Sequence, residues 1–136
     1  MRNLTTQLVG RVTELQVALA FIQHGYVVSQ PLIDTRYDFI IDKDHKLYRI
    51  QVKTCHKSVD ESCITFNTSN SHTNTKGTSN RNYKGEADYF ATIYNGDCYL
   101  VPVDECGNRG KTLRIKEPKN GNVCGISFLK DYTIEK

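Results

Sequence analysis

Apolar residues near the start of the chain recur at three and four positions. Leu8, Val12, Leu15, Leu19 and Ile22 form one stripe, and Gly10, Val17, Ala18 and Phe21 form a second. The spacing predicts a helix capped by Thr5 or Thr6 and running to His24, with Gly25 as its C-terminal stop. Two apolar stripes imply that the helix is covered on more than one side. Glu14 lies in the second stripe, one turn after Gly10, one turn before Ala18 and near Phe21. After Gly25 the period changes to two. Tyr26-Val27-Val28-Ser29 reads as a short strand, and Pro31 disfavours its extension as a central one. Residues 37–42 and 46–54 read as a hairpin about the turn-forming Asp42-Lys43-Asp44-His45-Lys46. Strands follow at 63–67, 87–94 and 98–103, the last two joined by Asn95-Gly96, a strong short turn signal. One helix followed by runs of strands is an α/β or α+β domain.

The pattern fails between the segments at 63–67 and 87–94. Residues 68–80 are almost wholly small and polar, and a polar loop spans about 68–84. So long a loop in a compact domain is functional or disordered, and the reading here is a loop that contacts DNA. A second shift comes at about 107, where a basic C-terminal extension sets Arg109, Lys111, Arg114, Lys116 and Lys119 against Glu117. Neither shift divides the chain, so residues 1–136 are read as one domain.

Composition narrows the class. Hydrophobic residues are 38% and charged residues 24% of the 136, ordinary values for a globular chain. No apolar run reaches the ~18 residues of a membrane helix, and Met1-Arg2-Asn3-Leu4-Thr5-Thr6 leads into the helix with no signal-peptide core, which points to the cytoplasm. The five cysteines lack CxxC spacing, which argues against a disulfide framework and a zinc ribbon. A net charge of +3 is a weak pointer to nucleic acid. Its distribution says more: Lys76, Arg81 and Lys84 stand in a stretch with no acid.

Three polar residues interrupt the hairpin. Centred on Asp44-His45, facing residues have numbers summing to about 89, which sets Asp38 opposite Gln51, with Lys53 on the face of Gln51. Asp38 shares its side with Ile40, which should point to the core, so its carboxylate needs a partner if buried. Gln51 and Lys53 also fit the solvent face of an edge strand. Glu14 either snorkels or faces a cation. Taken together, Glu14 and Asp38 would repel by on the order of 4 kcal/mol at 4 Å and an effective dielectric near 20. A divalent cation between them reverses that sign. Hard oxygen ligands suit Mg²⁺, with Mn²⁺ as a substitute. The amide oxygen of Gln51 and the carbonyl of Val52 are neutral candidate ligands. The metal would polarise a phosphate oxygen and acidify a bound water. Lys53 would stabilise charge developing on the phosphate, or orient and help deprotonate the water. The reaction class is metal-assisted phosphodiester hydrolysis.

Glu14, Tyr37-Asp38 and Gln51-Val52-Lys53-Thr54 resemble the PD-(D/E)XK nuclease motif. Gly25-Tyr26-Val27-Val28, Tyr83-Lys84-Gly85-Glu86-Ala87-Asp88-Tyr89-Phe90-Ala91 and Tyr99-Leu100-Val101-Pro102-Val103 extend the resemblance to the small branch that contains the group I intron homing endonuclease of cyanobacteria. It covers roughly residues 10–103. Tyr37 stands where the general pattern has proline. Gln51 stands where it has an acid, which removes a negative charge from the metal site, though the branch also carries glutamine there. The resemblance implies a restriction-endonuclease-like core, a mixed central β-sheet flanked by helices. It further implies cleavage of double-stranded DNA and assembly into a homodimer or homotetramer, which supplies two active sites by symmetry. Lys57, Lys76, Arg81 and Lys84 are the candidate DNA contacts, and Asn74 and Asn80 are candidate base readers. The other readings are a structure-specific nuclease acting on Holliday junctions and a non-catalytic DNA-binding protein, which Gln51 keeps open.

Overall fold

The computed structural model describes residues 5–74, 77–118, 121 and 125–134. Thr5 starts the helix: its Oγ1 accepts from the backbone N–H of Leu8 at 3.3 Å, satisfying one of the open donors of the first turn. Helix α1 runs Thr6–Gln23 and stops where Gly25 takes a φ of +88°, a conformation that disfavours any side chain. Among the described residues ten strands follow in chain order: β1 Val27–Ser29, β2 Phe39–Lys43, β3 Lys46–Val52, β4 His56–Lys57, β5 Cys63–Asn67, β6 Ser69–Asn74, β7 Gly77–Asn82, β8 Tyr89–Tyr94, β9 Asp97–Pro102 and β10 Gly110–Arg114.

The central sheet has the order β1-β2-β3-β8-β9, with β3 and β8 parallel and the other pairs antiparallel. It is a mixed sheet in an α+β fold, consistent with a restriction-endonuclease-like core. The β2–β3 register sets Phe39 opposite Ile50 and Ile40 opposite Arg49, as the sequence predicts. Its cause is the turn: Asp44 and His45 both take positive φ, 52° and 65°, as a two-residue type I′ connection requires. Asn95 and Gly96 make the same kind of turn between β8 and β9.

Each face of the sheet carries its own core. On one side Val17 and Phe21 of α1 pack with Phe39, Ile41, Ile50 and Val52. On the other, Phe90 and Val101 pack with Ile64, Phe66 and Leu113 from the three-stranded sheet β10-β5-β4. Tyr99 and Phe90 are thus used up by packing within the chain. Ile40 is only half-buried, since the core-facing residues of β2 are Phe39 and Ile41.

Two expectations are corrected. The polar stretch is a two-stranded ribbon, paired from Ser69↔Asn82 to Asn74↔Gly77. Backbone pairing needs no apolar side chain, so composition hid it. The helix, moreover, is covered on one side only. Thr13, Val17, Ala20 and Phe21 are buried, while Leu8, Val12, Leu15, Leu19 and Ile22 are 44–60% exposed. Among the described residues no helix is long and apolar enough to cross a membrane.

Candidate active site

Asp38 sits one residue before β2, held from both ends. Its N–H donates to the carbonyl of Ile50 at 2.7 Å, and its Oδ2 accepts from the N–H of Val52 at 2.8 Å. Those bonds fix the carboxylate at the mouth of the hairpin. Burial pushes its pKa up to about 6, and the nearby carboxylate of Glu14 adds to the rise; the Val52 bond and the charge of Lys53 oppose it. Glu14 reaches Asp38 because α1 is tied down beside β3: Thr13, its neighbour, shares a 2.9 Å hydrogen bond with Thr54 just past the strand. Glu14 also accepts from Arg11 at 2.9 Å. Both carboxylates line a polar cleft of about 220 Å³, with Arg11, Pro31, Asp34 and Tyr37.

Lys53 follows β3, and its N–H bonds the carbonyl of Ala91 at 2.9 Å. Its Nζ donates to the hydroxyl of Tyr83 at 3.1 Å and to Oδ1 of Asn70 at 3.3 Å. The Tyr83 hydroxyl itself donates to Asn70 at 2.6 Å. Tyr83 is 2% exposed, and the guanidinium of Arg36 lies 3.9 Å from its ring centroid. Burial lowers the pKa of Lys53 to about 8; Arg36 lowers it further and Asp38 resists. Arg36 also donates to the carbonyls of Arg81 and Asn82 at the root of the ribbon, at 3.1 and 2.7 Å.

Glu14, Asp38 and Lys53 therefore come together from three separate stretches of chain. Gln51 is half-buried, and its amide nitrogen donates to the carbonyl of Val52 at 3.4 Å. Among the described residues no three His, Cys, Asp or Glu side chains gather as a ready metal cage. The cleft offers two paired carboxylates, with neutral oxygens nearby. Of the candidate DNA contacts, Lys57 pairs with Glu61 at 2.9 Å and Arg81 with Glu86 at 2.9 Å, while Lys84 is exposed. Lys76 lies outside the described residues, and the side chains of residues 71–80 are not described, Asn74 and Asn80 included. The basic extension is partly tied to the body: Lys111 donates to Ser127 at 3.1 Å and Lys116 to the carbonyl of Asp60 at 2.9 Å.

Sequence reasoning missed Arg36, Asn70 and Tyr83. The last two meet because β6 pairs with β7, setting Asn70 opposite Arg81, and that pairing is invisible in so polar a stretch. Arg36 carried a signal of position only, standing two residues before Asp38.

A family model described as PD-(D/E)XK endonuclease matches residues 4–135. Protein 5.3 of Escherichia phage T7 is 31% identical over 119 residues, spanning 85% of this chain and 94% of the phage protein. The solved structure of a bacterial homing endonuclease, I-Ssp6803I, superposes with a TM-score of 0.76 at 20% identity, over 95% of this chain and 88% of the other. At that identity the likeness is one of fold.

Proposed function

The chain belongs to the PD-(D/E)XK endonuclease family, and from that premise we propose that it is a metal-dependent endonuclease that hydrolyses phosphodiester bonds of double-stranded DNA, sequence-specifically, in the manner of homing or restriction enzymes. The observation that carries the reading is the meeting of Glu14 and Asp38 in one cleft, with the charge of Lys53 felt at Asp38.

The donor set fits a hard divalent cation. Glu14 lies close enough to raise the proton affinity of Asp38, so the ionised Asp38 carboxylate is destabilised there, and a cation relieves it. Asp38 and Glu14, with the carbonyl of Val52 and the amide oxygen of Gln51, would hold Mg²⁺, and Mn²⁺ would substitute. When bound, the ion supplies Lewis acidity to the phosphate and a more acidic water. Lys53 acts beside it. With a pKa of about 8 it is mainly an ammonium at neutral pH, so it stabilises negative charge developing on the phosphate, and Tyr83 and Asn70 aim it.

The β6–β7 ribbon suits DNA, because a major groove admits a two-stranded ribbon. Arg81 and Lys84 at its base, with Lys57, would take phosphates, and Lys76 is the remaining candidate from the sequence. Lys57 and Arg81 would first leave Glu61 and Glu86, at small cost, since both pairs lie open to solvent. Cutting both strands calls for two clefts, hence a homodimer or homotetramer.

Gln51 is the observation that favours a second reading, a DNA-binding protein that does not cut. One experiment separates the readings. The protein is incubated with a duplex library and with a four-way junction, in Mg²⁺ and in EDTA, beside Lys53→Ala. Duplex cutting that needs both metal and Lys53 is the expected result. Cutting confined to the junction would make it a structure-specific nuclease, and binding without cutting in any divalent metal would leave only the second reading.

A further inference from the structure

We infer that the outer stripe of α1, Leu8, Val12, Leu15, Leu19 and Ile22, is the surface on which two copies of this chain join, helix against helix. The helix has already given its other stripe to the core, through Val17, Ala20 and Phe21. What remains outside is five large aliphatic side chains, each roughly half exposed, spaced four, three, four and three apart. That strict alternation is the 3.5-residue period with which one α-helix packs knobs into the holes of another. A flat sheet face or a small ligand would require no such period.

The occupant follows from the fold. Among the described residues α1 is the single α-helix of the chain, so a matching stripe is offered by the α1 of a second copy. The stripe is nearly symmetric about Leu15, with two members on each side at three or four and at seven residues. A twofold axis through Leu15 therefore sets Leu15 against Leu15 and every other member against a counterpart, the isologous arrangement of a closed dimer. No charge stands in the stripe. Its nearest cation is Arg11, already held by Glu14 at 2.9 Å.

The area is sufficient. With the adjoining Val9, six half-exposed aliphatic side chains present on the order of 500 Å² per copy, so a face-to-face pair removes about 1,000 Å² from water, where specific interfaces begin. Glu14 stands on the same helix, so joining copies through α1 brings two clefts onto one helical pair. The inference rests on the helix face and stands or falls without the nuclease reading.

The test is the association state of the metal-free protein, without DNA. Sedimentation velocity between about 1 and 100 µM is expected to show a dimer for the full chain. Leu15→Glu, and the uncharged pair Leu15→Gln with Leu19→Gln, are expected to raise the dimer dissociation constant at least a hundredfold with an unchanged far-ultraviolet circular dichroism spectrum. Val59→Glu, a fully exposed control away from the helix, is expected to leave it unchanged. Leu15→Cys is expected to form a disulfide-linked dimer under mild oxidation, well beyond the wild-type background. A wild-type monomer throughout that range, or a dimer that survives both helix variants, overturns the proposal.

Discussion

The Asp38 carboxylate and the backbone N–H of Val52 meet at 2.8 Å across the mouth of the β2–β3 hairpin. This bond makes the carboxylate part of the sheet's own hydrogen bonding and ties Asp38 to the strand that leads into Lys53. It lowers the pKa of Asp38, yet burial and Glu14 outweigh it and leave the group at about 6, against 3.8 unperturbed.

The sign of that shift makes a stability experiment. Between about pH 4 and 6 the folded protein holds a proton on Asp38 that the unfolded chain has lost, so metal-free stability falls as pH rises through this window. Above it the ionised carboxylate is a standing cost. Asp38→Asn keeps an oxygen to accept from Val52 and removes the charge. It is expected to raise metal-free stability at pH 7.5 by on the order of 1–2 kcal/mol, seen as a melting temperature several degrees higher, and to abolish the rise in melting temperature that Mg²⁺ gives the wild type. A variant less stable than wild type in EDTA would show that the contacts of the carboxylate stabilise the fold by more than its buried charge costs.

Two limbs are expected in the pH dependence of single-turnover cleavage. The rate rises through about pH 6 as Asp38 ionises and falls above about 8 as Lys53 loses its proton. Because metal binding favours the ionised carboxylate, more Mg²⁺ moves the acid limb to lower pH and leaves the alkaline limb in place. A rate that climbed through pH 8 instead would assign Lys53 the role of base. Lys53→Ala is expected to cost about 10²–10³ in rate, with DNA affinity in Ca²⁺ changed by less than about threefold.

In the proposed reaction Tyr83 acts through Lys53, which makes it a positioning residue. Tyr83→Phe keeps the ring under Arg36 and against Phe90, and deletes the hydroxyl that holds Nζ at 3.1 Å. A hydrogen bond to a charged group is worth about 1.5–3 kcal/mol. The single-turnover rate is therefore expected to fall about tenfold or more, with a melting temperature several degrees lower and unchanged DNA affinity. Loss of affinity in step with rate would place Tyr83 at the DNA instead.

These residues also mark how far the sequence reaches. The hairpin register was legible because two residues that tolerate positive φ stand between two apolar runs, and such a turn permits one pairing. The helix was legible from its caps and period. The pairing of Asp38 with Glu14 was legible because a carboxylate on an apolar stripe demands a partner. What stayed hidden were contacts with no pattern of their own. Asn70 and Tyr83 meet through a ribbon of small polar residues, in which neither face is marked by hydrophobicity. The outward face of α1 misled for the opposite reason: apolar periodicity states that a face will be covered but not by which chain.

The same turn offers a change in stability far from the cleft. His45 takes a φ of 65°, a strained conformation for a residue with a Cβ. His45→Gly gives the hairpin an Asp-Gly turn, the sequence a type I′ connection favours. Stability is expected to rise by about 0.5–1 kcal/mol in urea denaturation, the relief of strain exceeding glycine's extra chain entropy. The register is held by the strands as well, so cleavage should not change. A destabilised variant would mean that the His45 side chain makes a contact worth more than the strain.

Gln51→Glu gives the most direct reading of the charge missing from the site. The proposed ligands carry two negative charges, from Glu14 and Asp38, and Gln51 would contribute a neutral oxygen. A third carboxylate acts in opposite directions with and without the ion. In EDTA it adds like-charge repulsion, so the metal-free protein is expected to lose stability and the pKa of Asp38 to rise further. With Mg²⁺ present the added charge attracts the cation, and the half-saturating concentration is expected to fall by up to about tenfold. Thermal melts in EDTA and across a Mg²⁺ titration read both effects on one sample: the variant starts below the wild type and crosses above it as the ion fills the site. Parallel curves that never cross would place residue 51 outside the coordination sphere and leave Asp38, Glu14 and the Val52 carbonyl to hold the metal alone.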